Sequence, residues 1–265
     1  MSLVPKVVKS SKAPKSYQLW RSFIHSSRYI SCMKAIILAG GFGTRISEET
    51  DTKPKPMVLL GEKPILWHVM NIYAMQGVSE FIIATGYKSE VIHEWIHNIE
   101  EPWDVKAIDT GVETQTGGRI KMCFDSTSDS RFFLTYGDGV GNVNLSNLLS
   151  IHEKSSKLAT VTAVRPPARF GVLESSNGEV THFGEKSQAD AGWINGGFFV
   201  LERGVSSYIQ DFGDSFEAKT LPQLVQLKEL GAFHHEGFWQ PMDTLREKNL
   251  LTQMAFDVAP PWYQF

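Results

Sequence analysis

A short apolar run leads into Leu38-Ala39-Gly40-Gly41-Phe42-Gly43-Thr44-Arg45. Glycines let a backbone come close to a phosphate chain, and free N–H groups there bind its oxygens. The spacing excludes two common phosphate loops. A dinucleotide fingerprint begun at Gly41 needs glycine where Ile46 stands, and a Walker loop needs Gly-Lys-Ser/Thr where Gly43-Thr44-Arg45 stands. Shortly downstream, Lys53-Pro54-Lys55-Pro56-Met57 sets Lys55 between two prolines. They stiffen its backbone and offer a cation to phosphate oxygens. Asp138, in Gly137-Asp138-Gly139, stands at the end of a predicted buried strand, where ligands of open parallel sheets gather. With Asp243, in Pro241-Met242-Asp243, it offers two carboxylates, a donor set suited to Mg²⁺ shared with phosphate. Taken singly, Asp138 is equally a turn residue and Asp243 an N-cap for the last helix.

His93-Glu94-Trp95-Ile96-His97 matches the zinc-protease pattern. On a helix, however, Val91, Ile92, Trp95, Ile96 and Ile99 form one apolar stripe, and both histidines fall on the opposite, solvent side. Glu100 and Trp103 occupy the glycine and third-histidine positions of the extended motif. A catalytic zinc is therefore not expected.

Apolar runs and turn residues predict the elements that carry these groups. Strands are expected at Lys34 to Leu38, Phe81 to Thr85, Val105 to Ile108, Phe132 to Tyr136 and Leu158 to Val164. Helices are expected between them at Ile65 to Gln76, Ser89 to Ile99, Gly117 to Phe124 and Leu145 to Ser155. This alternation predicts an α/β fold, a mainly parallel sheet with helices on both faces. Beyond Pro166-Pro167 the runs Phe170 to Glu174, Val180 to Glu185 and Ile194 to Leu201 predict a small β-rich meander or antiparallel extension. One or two helices between Val205 and Leu230, a strand at Ala232 to His235 and a closing helix from Thr244 complete the chain.

The 265 residues, 42% hydrophobic and 21% charged, suffice for one large core. A net charge of −3 gives no sign of a nucleic-acid surface, and no apolar run is long enough to span a membrane. Two distant cysteines suggest neither a disulfide framework nor a four-ligand zinc site. Residues 1–32 carry six Lys or Arg, eight serines and no acid, so the rest of the chain is markedly acidic. Their composition is that of a disordered basic leader, a transit peptide or an extension ahead of a start at Met33. The expected organisation is this leader followed by one domain over 33–265 in two parts, 33–164 and 165–265.

GGFGTR followed by PKPM resembles the signature of the sugar-1-phosphate nucleotidyltransferases, from Met33 to the C-terminus. TQTGGR (Thr114 to Arg119), YGDG (Tyr136 to Gly139), RFG (Arg169 to Gly171) and GFWQPMDT (Gly237 to Thr244) resemble its cytidylyltransferase branch. The resemblance implies a Rossmann-like fold and a cytoplasmic, Mg²⁺-dependent enzyme. It would join CTP and α-D-glucose 1-phosphate into CDP-glucose and pyrophosphate, with CDP-glucose going on to deoxysugars of surface polysaccharides. It assigns the nucleotide to Leu38, Ala39, Gly40, Gly41, Phe42, Gly43, Thr44, Arg45, Lys55, Thr114, Arg119 and Gly137, with Arg45 and Lys55 as catalytic cations. It gives the metal to Asp138 and Asp243, and the sugar phosphate to Glu185, Lys186 and Asn195. Ser187, Trp193 and Gly196 depart from the family's usual proline, tyrosine and alanine. The Ile99 to Val105 connection is short of the family's by roughly twenty residues, which bears on whether the chain forms a homo-oligomer. A UTP- or dTTP-dependent enzyme and a non-catalytic sugar-phosphate-binding relative are the alternatives.

Overall fold

The computed structural model describes residues 30–167, 171–185 and 192–265. Ile30–Cys32, at the end of the basic leader, form a 3-10 turn with Ile30 buried in the core. Strand β1 (Lys34–Leu38) then runs through the middle of the molecule. Its alternate residues feed two cores: Ala35 and Ile37 face one, Ile36 and Leu38 the other. Burial on both faces is why it reads as one apolar run.

After the glycine loop come a 3-10 turn (Thr44–Ile46), helix α1 (Ser47–Thr50), a 3-10 turn (Lys55–Met57) and a two-rung hairpin of β2 (Leu59–Leu60) and β3 (Lys63–Pro64). Three crossovers follow: α2 (Ile65–Ala74) to β4 (Glu80–Thr85), α3 (Ser89–His97) to β5 (Asp104–Asp109), and α4 (Thr116–Asp125) to β6 (Arg131–Tyr136). Then come β7 (Gly139–Gly141), α5 (Leu145–Ser155) and β8 (Ala159–Val164). Among the described residues, strands β9 (Gly171–Ser176) and β10 (Glu179–Glu185) pair only with each other, and β11 (Ile194–Glu202) returns to the sheet. A 3-10 segment (Arg203–Tyr208), a π-turn (Phe216–Thr220), α6 (Leu221–Gln226), β12 (Leu230–His235), β13 (Trp239–Pro241), α7 (Leu245–Ala255) and a last 3-10 turn (Pro261–Tyr263) end the chain.

The seven-stranded sheet has the order β12-β8-β11-β6-β1-β4-β5. Its strands run parallel except β11, which lies antiparallel between β6 and β8. Buried residues of α2, α3, α5 and α7 join the core on one face; those of α4, the 3-10 segment, the π-turn and α6 join the other. The mainly parallel sheet with helices on both faces is thus present. The small β-rich extension is present but smaller than predicted. It is a hairpin of β9 and β10 alone, while Ile194 to Leu201 belongs to a central strand of the main sheet. The parts 33–164 and 165–265 therefore share one sheet, since β11 and β12 come from the second.

Candidate active site

The order β5-β4-β1-β6 means that the chain leaves β1 on one side and returns to its other side, a topological switch point at the carboxyl ends of β1 and β6. Leu38 and Tyr136 are register partners there, and Gly137 N donates to the Leu38 carbonyl at 2.9 Å. A cleft of about 360 Å³ opens at this point. All residues from Leu38 to Arg45 line it, together with Lys55, Thr114, Arg119, Gly137, Asp138 and Asp243. Every nucleotide and metal residue expected from sequence thus meets in one place. Pro56, Val112, Gln115, Thr116 and Tyr136 also line it; all but Val112 lie in PKPM, TQTGGR or YGDG, though the resemblance assigned none of them to a ligand.

A second, smaller ribbon brings the two acids together. β13 pairs antiparallel with β7, Pro241 opposite Gly139, and Met242 N donates to the Asp138 carbonyl at 2.8 Å. Lys55 Nζ then donates to Asp138 Oδ2 at 2.6 Å and to Asp243 Oδ1 at 2.8 Å. Arg45 Nη1 donates to Asp243 Oδ2 at 2.8 Å from a largely solvent-exposed side chain. Lys55 is only 8% exposed. Burial alone would lower its pKa, but Asp138 and Asp243 together outweigh that and raise it, so the ammonium stays protonated. The capping role belongs to Thr244, whose hydroxyl accepts from Glu247 N while Glu247 Oε2 accepts from Thr244 N. Asp243 is therefore not the cap. Two carboxylates at an open cleft, beside cations that suit phosphate, fit Mg²⁺ by the hardness of their oxygens.

Arg119 lines the cleft, but the residue is only 4% exposed and both terminal guanidinium nitrogens are engaged. Nη1 donates to the Thr85 carbonyl at 3.0 Å and to Thr110 Oγ1 at 2.5 Å; Nη2 donates to the carbonyls of Gly40 at 3.1 Å and Val112 at 3.2 Å. Burial lowers its pKa and Asp109 opposes the shift. Arg119 thus ties the glycine loop to the ends of β4 and β5. Gly40 is glycine for a reason that the loop motif does not reveal: a Cβ there would lie 2.1 Å from Arg119 Nη1. Gly43 has φ +66°, and a Cβ would lie 2.9 Å from the Lys55 Cβ. At Gly41 nothing stands within 4 Å of a would-be Cβ, so its backbone is open to a ligand.

The sugar-phosphate assignments divide. Asn195 lies outside the cleft lining and touches it through Tyr136, donating from Nδ2 to the hydroxyl at 3.1 Å. Glu185 is the last residue of β10, paired with Gly171. Lys186 and Arg169 fall outside the described residues. Trp193 packs between the Arg165 guanidinium, 4.4 Å from its ring centre, and the ring of His234 at 4.6 Å. The zinc-protease match is a surface feature: His93 and His97 are exposed on α3, and no three potential metal ligands cluster among the described residues.

The Nucleotidyl transferase family model matches residues 34–255. A glucose-1-phosphate cytidylyltransferase of Salmonella typhi is 45% identical over 253 residues, covering 87% of this chain and 98% of that protein. A probable glucose-1-phosphate cytidylyltransferase of Bacillus subtilis (strain 168) is 44% identical over 241 residues, covering 83% and 94%. Among solved structures, HddC from Yersinia pseudotuberculosis complexed with GMP-PN superposes with a TM-score of 0.68 at 24% identity, over 83% of this chain and 98% of that one. That last likeness concerns the fold.

Proposed function

This chain belongs to the nucleotidyl transferase family, and on that premise we propose that it transfers a cytidylyl group from CTP to α-D-glucose 1-phosphate, releasing pyrophosphate. The observation that carries this reading is the 45% identity to a glucose-1-phosphate cytidylyltransferase across 98% of that protein's length. The cleft supports it independently, since buried cation, exposed cation and paired acids converge where an open α/β sheet binds ligands.

The reaction needs no protein nucleophile. The sugar's own phosphate attacks the α-phosphorus of the triphosphate in line, and pyrophosphate leaves. What opposes it is repulsion between anions and the entropy of holding them in line. Lys55 and Arg45 supply positive charge from two sides of Asp243. The open backbone of Gly41 can donate to phosphate oxygens, and Arg119 holds that loop in shape from beneath. Asp138 and Asp243 would hold Mg²⁺, which when bound neutralises charge developing on the phosphates. A cytoplasmic location belongs to the proposal, because CTP is at hand there.

Cytosine presents an amino donor at position 4 where uracil presents a carbonyl acceptor. A site built for that donor leaves its acceptors unpaired with uracil, a penalty that can reach about 10⁴ in rate. A pyrophosphate-release screen of four nucleoside triphosphates against several hexose 1-phosphates, with Mg²⁺, tests the proposal. CTP with glucose 1-phosphate should be fastest. Equal use of UTP or dTTP would remove the cytidylyl assignment, and no release with any pair would point to a binding protein.

A further inference from the structure

Glu217 belongs to no motif, and nothing in the reaction described above uses it. It sits on the π-turn Phe216–Thr220, a geometry that recurs at functional sites. Its carboxylate gathers three hydroxyl groups. Oε1 accepts from the Tyr136 hydroxyl at 2.5 Å, and Oε2 accepts from Thr116 Oγ1 at 2.6 Å and Ser215 Oγ at 3.1 Å. Tyr136 ends β6 next to Gly137-Asp138, and Thr116 opens α4; both line the cleft, whereas Glu217 does not. We propose that Glu217 is the positioning residue for the sugar side of the cleft, fixing the Tyr136 hydroxyl so that its oxygen accepts from Asn195. The proposal rests on the nucleotidyltransferase reading of the site, including its assignment of Asn195 to the sugar phosphate.

Gly197 N can only donate, and it donates to Asn195 Oδ1 at 2.9 Å. The amide orientation of Asn195 follows, with Nδ2 facing Tyr136 at 3.1 Å. The Tyr136 oxygen must then accept, so its own proton needs another acceptor, and Glu217 is that acceptor. A carboxylate suits the end of such a chain because it has no proton to give and its hydrogen bonds are about twice as strong as neutral ones. The ring itself has little freedom. Gly197 adopts φ +82°, and a Cβ there would stand 2.6 Å from Tyr136 Cδ2. Backbone on one side and a carboxylate at the tip therefore hold the ring that separates Asn195 from the cleft.

Glu217→Gln keeps the shape and offers one oxygen, but its amide cannot accept from both Tyr136 and Thr116. With the nucleotide and hexose 1-phosphate that the wild type uses, this variant should raise the KM for the sugar phosphate about tenfold, the worth of roughly one hydrogen bond. The KM for the nucleotide should stay within about twofold and the melting temperature close to wild type. Tyr136→Phe should show the same split, and Glu217→Gln combined with Tyr136→Phe should be no worse than Tyr136→Phe alone. Equal rises in both KM values, a fall in kcat alone, or effects that multiply in the double variant would overturn the proposal. If Glu217→Gln does not fold, Tyr136→Phe decides: an unchanged sugar-phosphate KM overturns the proposal. Because the wild type first selects its own substrates, failure of the CTP assignment stays separate from failure at Glu217.

Discussion

A buried ammonium shared by two carboxylates ties three distant parts of this chain to one point. Lys55 comes from the stiff Pro54-Lys55-Pro56 turn, Asp138 from the end of β6 and Asp243 from the end of β13. Its pKa lies above the ordinary 10.5, so the stabilisation it brings is fully present below that value and is lost only as pH rises past the raised one. Neutral pH leaves it untouched. Replacing either acid by the isosteric amide keeps an oxygen for Lys55 and removes the charge that, under the proposed function, would hold a metal ion. Asp138→Asn and Asp243→Asn should each lower kcat by a factor of about 100 or more while the fold persists. Rates near wild type in folded variants, measured by pyrophosphate release, would take both acids out of the reaction. Arg119 serves the loop rather than a charge partner. Sequence resemblance marks it as part of the nucleotide site, yet each of its four hydrogen bonds among the described residues goes to protein, and the glycine at 40 is shaped to it.

Between elements, His68 on α2 joins the hairpin to the end of the chain. Its ring nitrogens meet the Leu60 carbonyl at 3.0 Å and the Tyr263 hydroxyl at 2.8 Å. Burial is the main reason that its pKa falls from 6.5 to about 4. A depressed histidine is held neutral by folding, so its contribution is complete above pH 6.5 and is lost as pH falls toward 4. The gap corresponds to about 3 kcal/mol. Thermal melts should therefore show stability declining across that window, and His68→Gln should flatten the decline; an unchanged slope would clear His68 of the effect. The elements that sequence made legible are those set by local pattern. β1 and α5 have the predicted ends, because glycine stops the first and Asn144 caps the second through a hydrogen bond from Asn147 N at 2.9 Å. β11 was legible as a strand but not as a neighbour of β6 and β8, since pairing partners leave no mark in a run of nine residues. The site divides in the same way. GGFGTR and PKPM announce themselves locally, whereas the Glu217 to Tyr136 contact joins residues 81 apart in sequence and has no motif.

For the molecule as a whole, the basic leader is expected to be dispensable, but the buried Ile30 moves the useful boundary. A chain starting at residue 30 should match the full chain in melting temperature and turnover. One starting at Met33 should still turn over, but lose about 2 kcal/mol of apolar burial and several degrees of melting temperature. Equal melting of the two would show that Ile30 contributes nothing. The antiparallel insertion of β11 sets a schedule as well as a shape. On a ribosome, β8 emerges before the strand that must stand between it and β6, so the outer edge of β6 stays unpaired until Glu202 has been made. At about 5–20 residues per second, the stretch from Tyr136 to Glu202 takes on the order of 3–13 s. Nascent chains ending after β8 should leave β6 open to protease, and chains ending after β11 should protect it; equal protection would contradict this order. During those seconds the half-made sheet offers a bare edge to any neighbouring chain, and crowding on a polysome becomes a hazard that the finished enzyme no longer faces.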